Sequence, residues 1–193
     1  MTGTWFLGAA AIYGERIRAA VLRPKLKLQL VNSIGELTTQ IEQTDQAPAK
    51  SILARYFHMR LTNERRFPVA HEVEVLLTKL EDRGADGNPR AIYEDDIPFS
   101  WKYGLYDRFR TIGHATRATA DLLFVREDRL QLLAHAPNNL GATMLGETHI
   151  WITAVARGLE GESNPLRIKV DWDGHWDRGD AEMQRHLKIA VVE

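Results

Sequence analysis

The sequence predicts a mainly β protein: a single antiparallel β-sandwich domain over residues 24–193, behind an N-terminal helix over residues 1–23. Three observations carry that expectation. From Lys25 onward the apolar residues recur with a period of two, the mark of strands with one buried face. Turn clusters such as GADGNP (84–89) and GLEGESNP (158–165) punctuate the chain. The segments between strands are too short and too polar for repeated βαβ units, and no internal repeat or second domain is visible.

The N-terminal segment comes first. WFLGAAAIY (5–13) is apolar and uncharged, but a bilayer-spanning helix needs about 20 such residues. It is followed by Arg16, Arg18, Arg23, Lys25 and Lys27 against one acid, Glu15. Cations directly after an apolar run mark the cytoplasmic flank of a membrane helix. A signal peptide has the opposite order. Pro24 closes the helix at or before Arg23. Residues 4–22 read either as the stub of a membrane or interfacial helix, or as an amphipathic helix packed on the domain. The charge asymmetry favours the first.

The strands follow in order. KLKLQLV (25–31) sets Leu26, Leu28 and Leu30 against Lys25, Lys27 and Gln29. Residues 32–50 are polar, contain Pro48, and read as a long loop with a helical turn at most. In SILARYFHMRLTN (51–63), Leu53, Phe57, Met59 and Leu61 share a face opposite Tyr56, His58 and Arg60. HEVEVLLTKLE (71–81) turns Val73, Val75 and Leu77 inward. IPFSWKY (97–103) is a short strand that Pro98 confines to an edge or a strand start. Residues 119–128 and 129–136 are two strands with a charged junction; 137–147 is a loop, and 148–156 a further strand. LRIKVDW (166–172) alternates cleanly, and 180–193 begins as a short helical turn and ends as a strand. The total is about eight strand segments, the signature of an all-β sandwich or barrel.

Composition excludes several chemistries. Cysteine is absent, which removes disulfides, thiolate metal sites and a cysteine nucleophile. The 25 Lys and Arg balance 26 Asp and Glu, so no long-range field draws the chain to nucleic acid, and none is expected as a partner. No Walker A loop, G-x-G-x-x-G, G-x-S-x-G or H-E-x-x-H is present. None of the seven histidines stands at helical metal spacing from another, although His58, His71 and His149 lie in or beside strands that could bring them together.

The strongest local motif is Asp171-Trp172-Asp173-Gly174-His175-Trp176-Asp177, with Asp180 close behind. Asp171, Asp173, Asp177 and Asp180 are the candidate ligands of a hard, calcium-like cation, since alternate carboxylates supply oxygen and glycine permits the turn. The glycine comes two residues too early for an EF-hand. The simpler reading, and the favoured one, is a strand ending in an Asp-Gly turn. Glu94-Asp95-Asp96 reads as a solvated acidic run, and Arg108, Arg110 and Arg117 are too few cations for a nucleic-acid face. Arg65 and Arg66, beside Phe67-Pro68, offer a bidentate anion contact.

Arg23-Pro24-Lys25-Leu26, the stretch YFHMRLTNERRFPVAHEVEVLLTKLE (56–81), Trp101, and IKVDWDGHWDRGDAEMQRHLKI (168–189) carry a resemblance. Together they resemble a loose group of uncharacterised bacterial proteins with an immunoglobulin-like β-sandwich behind an N-terminal membrane segment. The resemblance implies an immunoglobulin-like fold and a membrane link; Arg65, Arg66 and Trp101 are the candidate binding residues. It implies no activity and no cofactor. The expected function is a non-enzymatic interaction or accessory domain with a protein partner, in the cytoplasm at the inner membrane. The competing reading is a metal-dependent binding domain or enzyme built on the Asp171–Asp180 loop.

Overall fold

The computed structural model describes residues 23–44, 47–102, 107–137 and 141–192. The helix expected over residues 4–22 lies outside them. Among the described residues no helix is long and apolar enough to cross a membrane.

The described residues form two antiparallel sheets around one hydrophobic core, an arrangement consistent with a β-sandwich. The first sheet contains β1 (Leu26–Leu30), β2 (Glu36–Thr44), β3 (Ala47–Asn63), β8 (Ala118–Arg126), β9 (Arg129–Leu132) and β10 (Thr143–Met144). The second contains β4 (Ala70–Arg83), β5 (Pro89–Tyr93), β6 (Ile97–Pro98), β7 (Arg110–Ile112), β11 (Thr148–Gly158), β12 (Gly161–Glu162), β13 (Leu166–Trp172) and β14 (Leu187–Val192). One helix, α1 (Asp180–His186), precedes β14. The short helix and terminal strand expected over 180–193 are therefore present.

Period-two patterning accounts for the core. On β13 burial alternates without a break, with Leu166, Ile168, Val170 and Trp172 inside. Val73, Val75 and Leu77 of β4 and Ile150, Ile152 and Ala154 of β11 continue the same layer. Phe57, Met59 and Leu61 of β3 and Leu123 and Val125 of β8 face them from the first sheet. Each such side chain, removed from water, stabilises the fold by about 1.5–3 kcal/mol.

The described residues hold fourteen strand segments rather than about eight, because pieces of two to five residues carry too little alternation of their own to be read, and two local expectations need correction as well. Residues 32–50 are not a long loop: β2 occupies Glu36–Thr44, and β3 already begins at Ala47. Its ELTTQIEQT sequence suits a pleated strand, but its only apolar positions, Leu37 and Ile41, are separated by Thr39 on one face, so the period-two signal is faint. The register shifts between Glu42 and Thr44, next to Pro48, where a residue without an amide hydrogen is tolerated. Second, the segment expected as a strand over 97–103 is, over its described residues 97–102, less a strand than a crossing. Ile97–Pro98 pairs with β4, whereas Phe99 and Trp101 make isolated bridges to Ala134 and Ala120. The segment thus leaves one sheet and joins the other. The amide of Phe99 donates to Val75 O, and that of Lys102 donates to Thr119 O.

β3 is the axis of the first sheet. β8 pairs with it from Arg55 to Leu61 on one side. On the other side, β1 pairs with its C-terminal end and β2 with its N-terminal end, so β1 and β2 are two halves of one interrupted strand. The interruption is built by Asn32, whose Oδ1 accepts from the amides of Ile34 and Gly35 at 3.1 and 2.6 Å. Gly35 has φ +78°, and a Cβ there would approach Arg55 Cγ and Phe57 Cζ to 2.7 Å. Only glycine fits that turn.

Arg55 sits on the inward face of β3 and is 1% exposed. Its Nη1 donates to Ile34 O at 3.2 Å and to Asp180 Oδ1 at 2.7 Å, and its Nη2 donates to Arg178 O at 3.0 Å. One guanidinium therefore ties the β1–β2 turn of the first sheet to the loop and helix that cap the second. Replacing Arg55 by Ala should cost about 3 kcal/mol, because two carbonyls lose their donor and a cavity opens. Replacing the exposed Asp180 by Ala should cost less, about 1 kcal/mol, since water can approach the guanidinium from that side. Urea unfolding of the two variants measures both, and equal costs would contradict this assignment.

Candidate functional site

Beyond Arg55 the first sheet narrows to two strands. Residues 47–54 of β3 pair with β2 alone, because β8 pairs only from Arg55 onward. The result is a two-stranded ribbon, with Glu36 opposite Tyr56 at its root and Thr44 opposite Ala47 near its tip. Its two faces differ. Leu37, Thr39 and Ile41 oppose Arg55, Leu53 and Ser51 on the side that continues the core face of the sheet. Ile41 is 70% exposed, and Ile34, in the turn before the ribbon, is also exposed. The other face carries Glu36, Thr38, Gln40 and Glu42. The buried Arg126 guanidinium reaches along it, donating to Gln40 Oε1 and Glu42 Oε1 at 3.3 Å each. It also donates to Asp128. Arg129 first and Arg126 second hold the Asp128 carboxyl well below the usual range, at about 2.

At the root of the ribbon, on its polar face, lies a cavity of about 230 Å³ lined by Glu36, Thr38, Tyr56, His58, Lys102 and Asp121. β2, β3 and β8 supply five of these side chains, and the crossing segment supplies Lys102. Nδ1 of the buried His58 donates to Asp121 Oδ1 at 2.8 Å. That fixes the ring and places Nε2 3.3 Å from both the Lys102 ammonium and a Glu36 carboxylate oxygen. Lys102 also donates to Glu36. Its hydrogen bond lowers the Glu36 carboxyl below 4.5; burial opposes this, and the charges of Lys102 and His58 assist it. Burial, and then the Asp121 carboxylate, push the Tyr56 phenol up. The Asp–His pair has the geometry of a base and its orienting acid, but Nε2 meets Lys102 and Glu36 rather than a hydroxyl. This is a closed polar network next to the ribbon, not a nucleophile–base pair.

The residues singled out in the sequence take varied positions. Arg65 and Arg66 lie on the turn after β3, whose shape is set by the buried Asn63. Its Oδ1 accepts from the amides of Lys25 and Arg65, and its Nδ2 donates to Pro68 O. Arg65 Nη1 donates to Arg23 O at 3.0 Å, and Arg66 stands 5.9 Å from the ring centre of the exposed Phe67. Trp101 is 1% exposed, donates its indole N–H to Arg108 O and carries the Arg110 guanidinium 5.0 Å above its ring. It is part of the core where the chain crosses between sheets, so it does not share the surface of Arg65 and Arg66. Arg108 is held by Glu74, and Glu94 and Asp96 by Lys79 and Arg157.

The four aspartates are directed to four different sets of partners. Asp171 pairs with His149 Nδ1 at 2.9 Å and Lys169 at 2.8 Å. Asp177 accepts from the Gly179 amide, and Asp180 from Arg55. Asp173 lies with His175 and His186, and burial raises its carboxyl less than those hydrogen bonds lower it. His58 and His149 belong to different sheets, each with its own acids, and the amide of His71 donates to Glu160.

Sequence reasoning missed Arg55, His58–Asp121 and the ribbon. Only the parity of Arg55 among Leu53, Phe57 and Met59 signals its burial. His58 and Asp121 stand 63 residues apart, beyond any local motif.

The depressed Glu36 carboxyl has a definite consequence. Stability linked to its ionisation is complete above 4.5 and is lost as pH falls through its lower folded value. Lys102→Met should move the Glu36 titration, followed by carboxyl-carbon NMR, back up towards 4.5. An unmoved titration would show that Lys102 is not the cause.

A scan against protein-family models finds no match, and searches of curated proteins and of solved structures return no significant match.

Proposed function

We propose that this chain is a non-enzymatic interaction domain, an immunoglobulin-like β-sandwich that holds a protein partner on its β2–β3 ribbon. The observation that carries the reading is that ribbon: two strands with Ile41 in water on the face that elsewhere builds the core. A bare two-stranded hairpin is only marginally stable, and an unpaired edge invites another strand. A partner that covered this face would gain up to about 1.5–3 kcal/mol from the exposed Ile41 and less from the half-buried Leu37 and Leu53. Strand addition along the outer edge of β2 would satisfy its unpaired backbone groups at the same time. Glu36, Glu42 and Lys50 place charges along the ribbon that oppose indiscriminate pairing. The polar pocket at the root, with its fixed His58–Asp121 pair, suits recognition of a polar group at the end of the docked segment.

Work at the cytoplasmic face of a membrane belongs to the same proposal. It is supported by the cationic run after WFLGAAAIY, which is the charge order of a cytoplasmic flank. A catalytic role has less support, because His58 Nε2 is occupied by Lys102.

The test places a photo-crosslinking residue at Ile41 and, as a control, at the exposed Val191 on β14. Ile41 should yield one discrete adduct with another protein in the source cell, and Val191 none. Ile41→Asp should abolish capture by a second crosslinker at Thr39 while changing stability by less than about 0.5 kcal/mol. Identical adducts from both positions, or none from Ile41, would overturn the proposal.

A further inference from the structure

We propose that Asp173, His175 and His186 form a binding site for a divalent first-row transition metal ion of the zinc type. Their ligand atoms, one carboxylate oxygen and two imidazole nitrogens, all lie within 4.8 Å of one another. His175 Nδ1 is 3.3 Å from Asp173 Oδ1, and His186 Nδ1 is 2.8 Å from Asp173 Oδ2. In a tetrahedral site with metal–ligand bonds of about 2.0–2.1 Å, ligand atoms stand roughly 3.3 Å apart. The cluster thus needs only small side-chain rotations to enclose an ion.

The main chain holds the three residues in place. The Trp172 indole N–H, anchored in the core, donates to His175 O at 2.7 Å. The Asp173 amide donates to His186 O at 3.1 Å, which locks the end of α1 against the end of β13. The Asp173 carboxylate also accepts from the His175 amide at 2.9 Å. Gly174, with φ +89°, makes the turn that folds His175 back over Asp173. A Cβ at Gly174 would press on the backbone of Gly146 and Glu147 at 3.2 Å. The loop is therefore built tightly, with the imidazoles on its outer side. Their rings lie 5.3 Å apart, tilted by 35°.

The donor set chooses the metal. Two imidazoles and one carboxylate suit zinc, nickel, copper or iron, and do not suit calcium, which takes six to eight oxygens. Coordination through Nδ1 displaces the hydrogen-bonded proton, which moves to Nε2 or to solvent. The side chains are 76%, 47% and 32% exposed for His175, Asp173 and His186. A bound ion would therefore keep at least one position open to water or to a ligand atom from outside the chain. It would also staple β13 to the end of α1, across the 13 residues that separate Asp173 from His186.

The test is calorimetric titration of the full, tag-free chain with zinc chloride and separately with calcium chloride. Zinc should bind with one saturable site, and calcium should not compete. His175→Ala, which removes a side chain in water and leaves folding intact, should weaken zinc binding at least about tenfold, and His186→Ala likewise. His135→Ala is the control and should bind as the wild type does. Ring-nitrogen NMR should show zinc shifting His175 and His186 and leaving His58 unmoved. Absence of saturable zinc binding, or equal affinity in His175→Ala and His135→Ala, would overturn the proposal.

Discussion

A single buried guanidinium decides how the two sheets of this protein meet at one end. Arg55 lies on the core face of β3, where an apolar side chain would be expected, and its charge must be answered in place. Ile34 O, Arg178 O and the Asp180 carboxylate answer it. They belong to the β1–β2 turn, the loop after β13, and the first turn of α1. A buried ion pair of this kind does not by itself add much stability over a well-packed apolar group. It does specify a geometry, since Nη1 and Nη2 hold all three segments at once while the buried Nε has no partner. Gly35 belongs to the same constraint, because the turn passes so close to Arg55 and Phe57 that no side chain fits.

The rest of the molecule follows from where that clasp lies. On the C-terminal side of Arg55, β3 is covered by β8 and by the second sheet, and its inward residues are core. On the N-terminal side, β3 keeps only β2 as a neighbour, and the same face carries the half-buried Leu53 and Leu37 and the exposed Ile41. One strand is thus half scaffold and half arm. The polar pocket of Glu36, His58, Lys102 and Asp121 forms where the halves join, on the opposite face, because the crossing segment brings Lys102 there from the second sheet. Asp173, His175 and His186 lie in and just beyond the segment whose Arg178 O and Asp180 the clasp holds. A rigid body, a protruding ribbon and a loop that can take an ion are consequences of one register.

Much of the fold was legible in the sequence because strands buried on one face write their partners' positions into alternate residues. LRIKVDW reads correctly to the residue, and Val73, Val75 and Leu77 read correctly on β4. The alternation failed where it had nothing to contrast. ELTTQIEQT meets water on both faces, and so its strand looked like a loop. Two-residue strands such as Ile97–Pro98 and Thr143–Met144 are defined by their neighbours rather than by their own sequence. The sites were less legible still. For the aspartates of 171–180 an oxygen cage was the less favoured reading beside an Asp-Gly turn; pleating and the turn at Gly174 sent each to its own partner. Asp173 met two histidines instead, and one of them, His186, stands outside the motif that drew attention to it. His58 and Asp121 come together only because β3 and β8 pair in that register.

The central claim is that β3 changes character at Arg55, from scaffold to outboard arm. Native-state amide hydrogen exchange, resolved by residue along β3, tests it most directly. The account predicts that amides of residues 49–53 and of β2 exchange through local opening, at least about a hundredfold faster than those of Phe57, Met59 and Leu61, which open only with the whole fold. Uniform protection along all of β3 would contradict it.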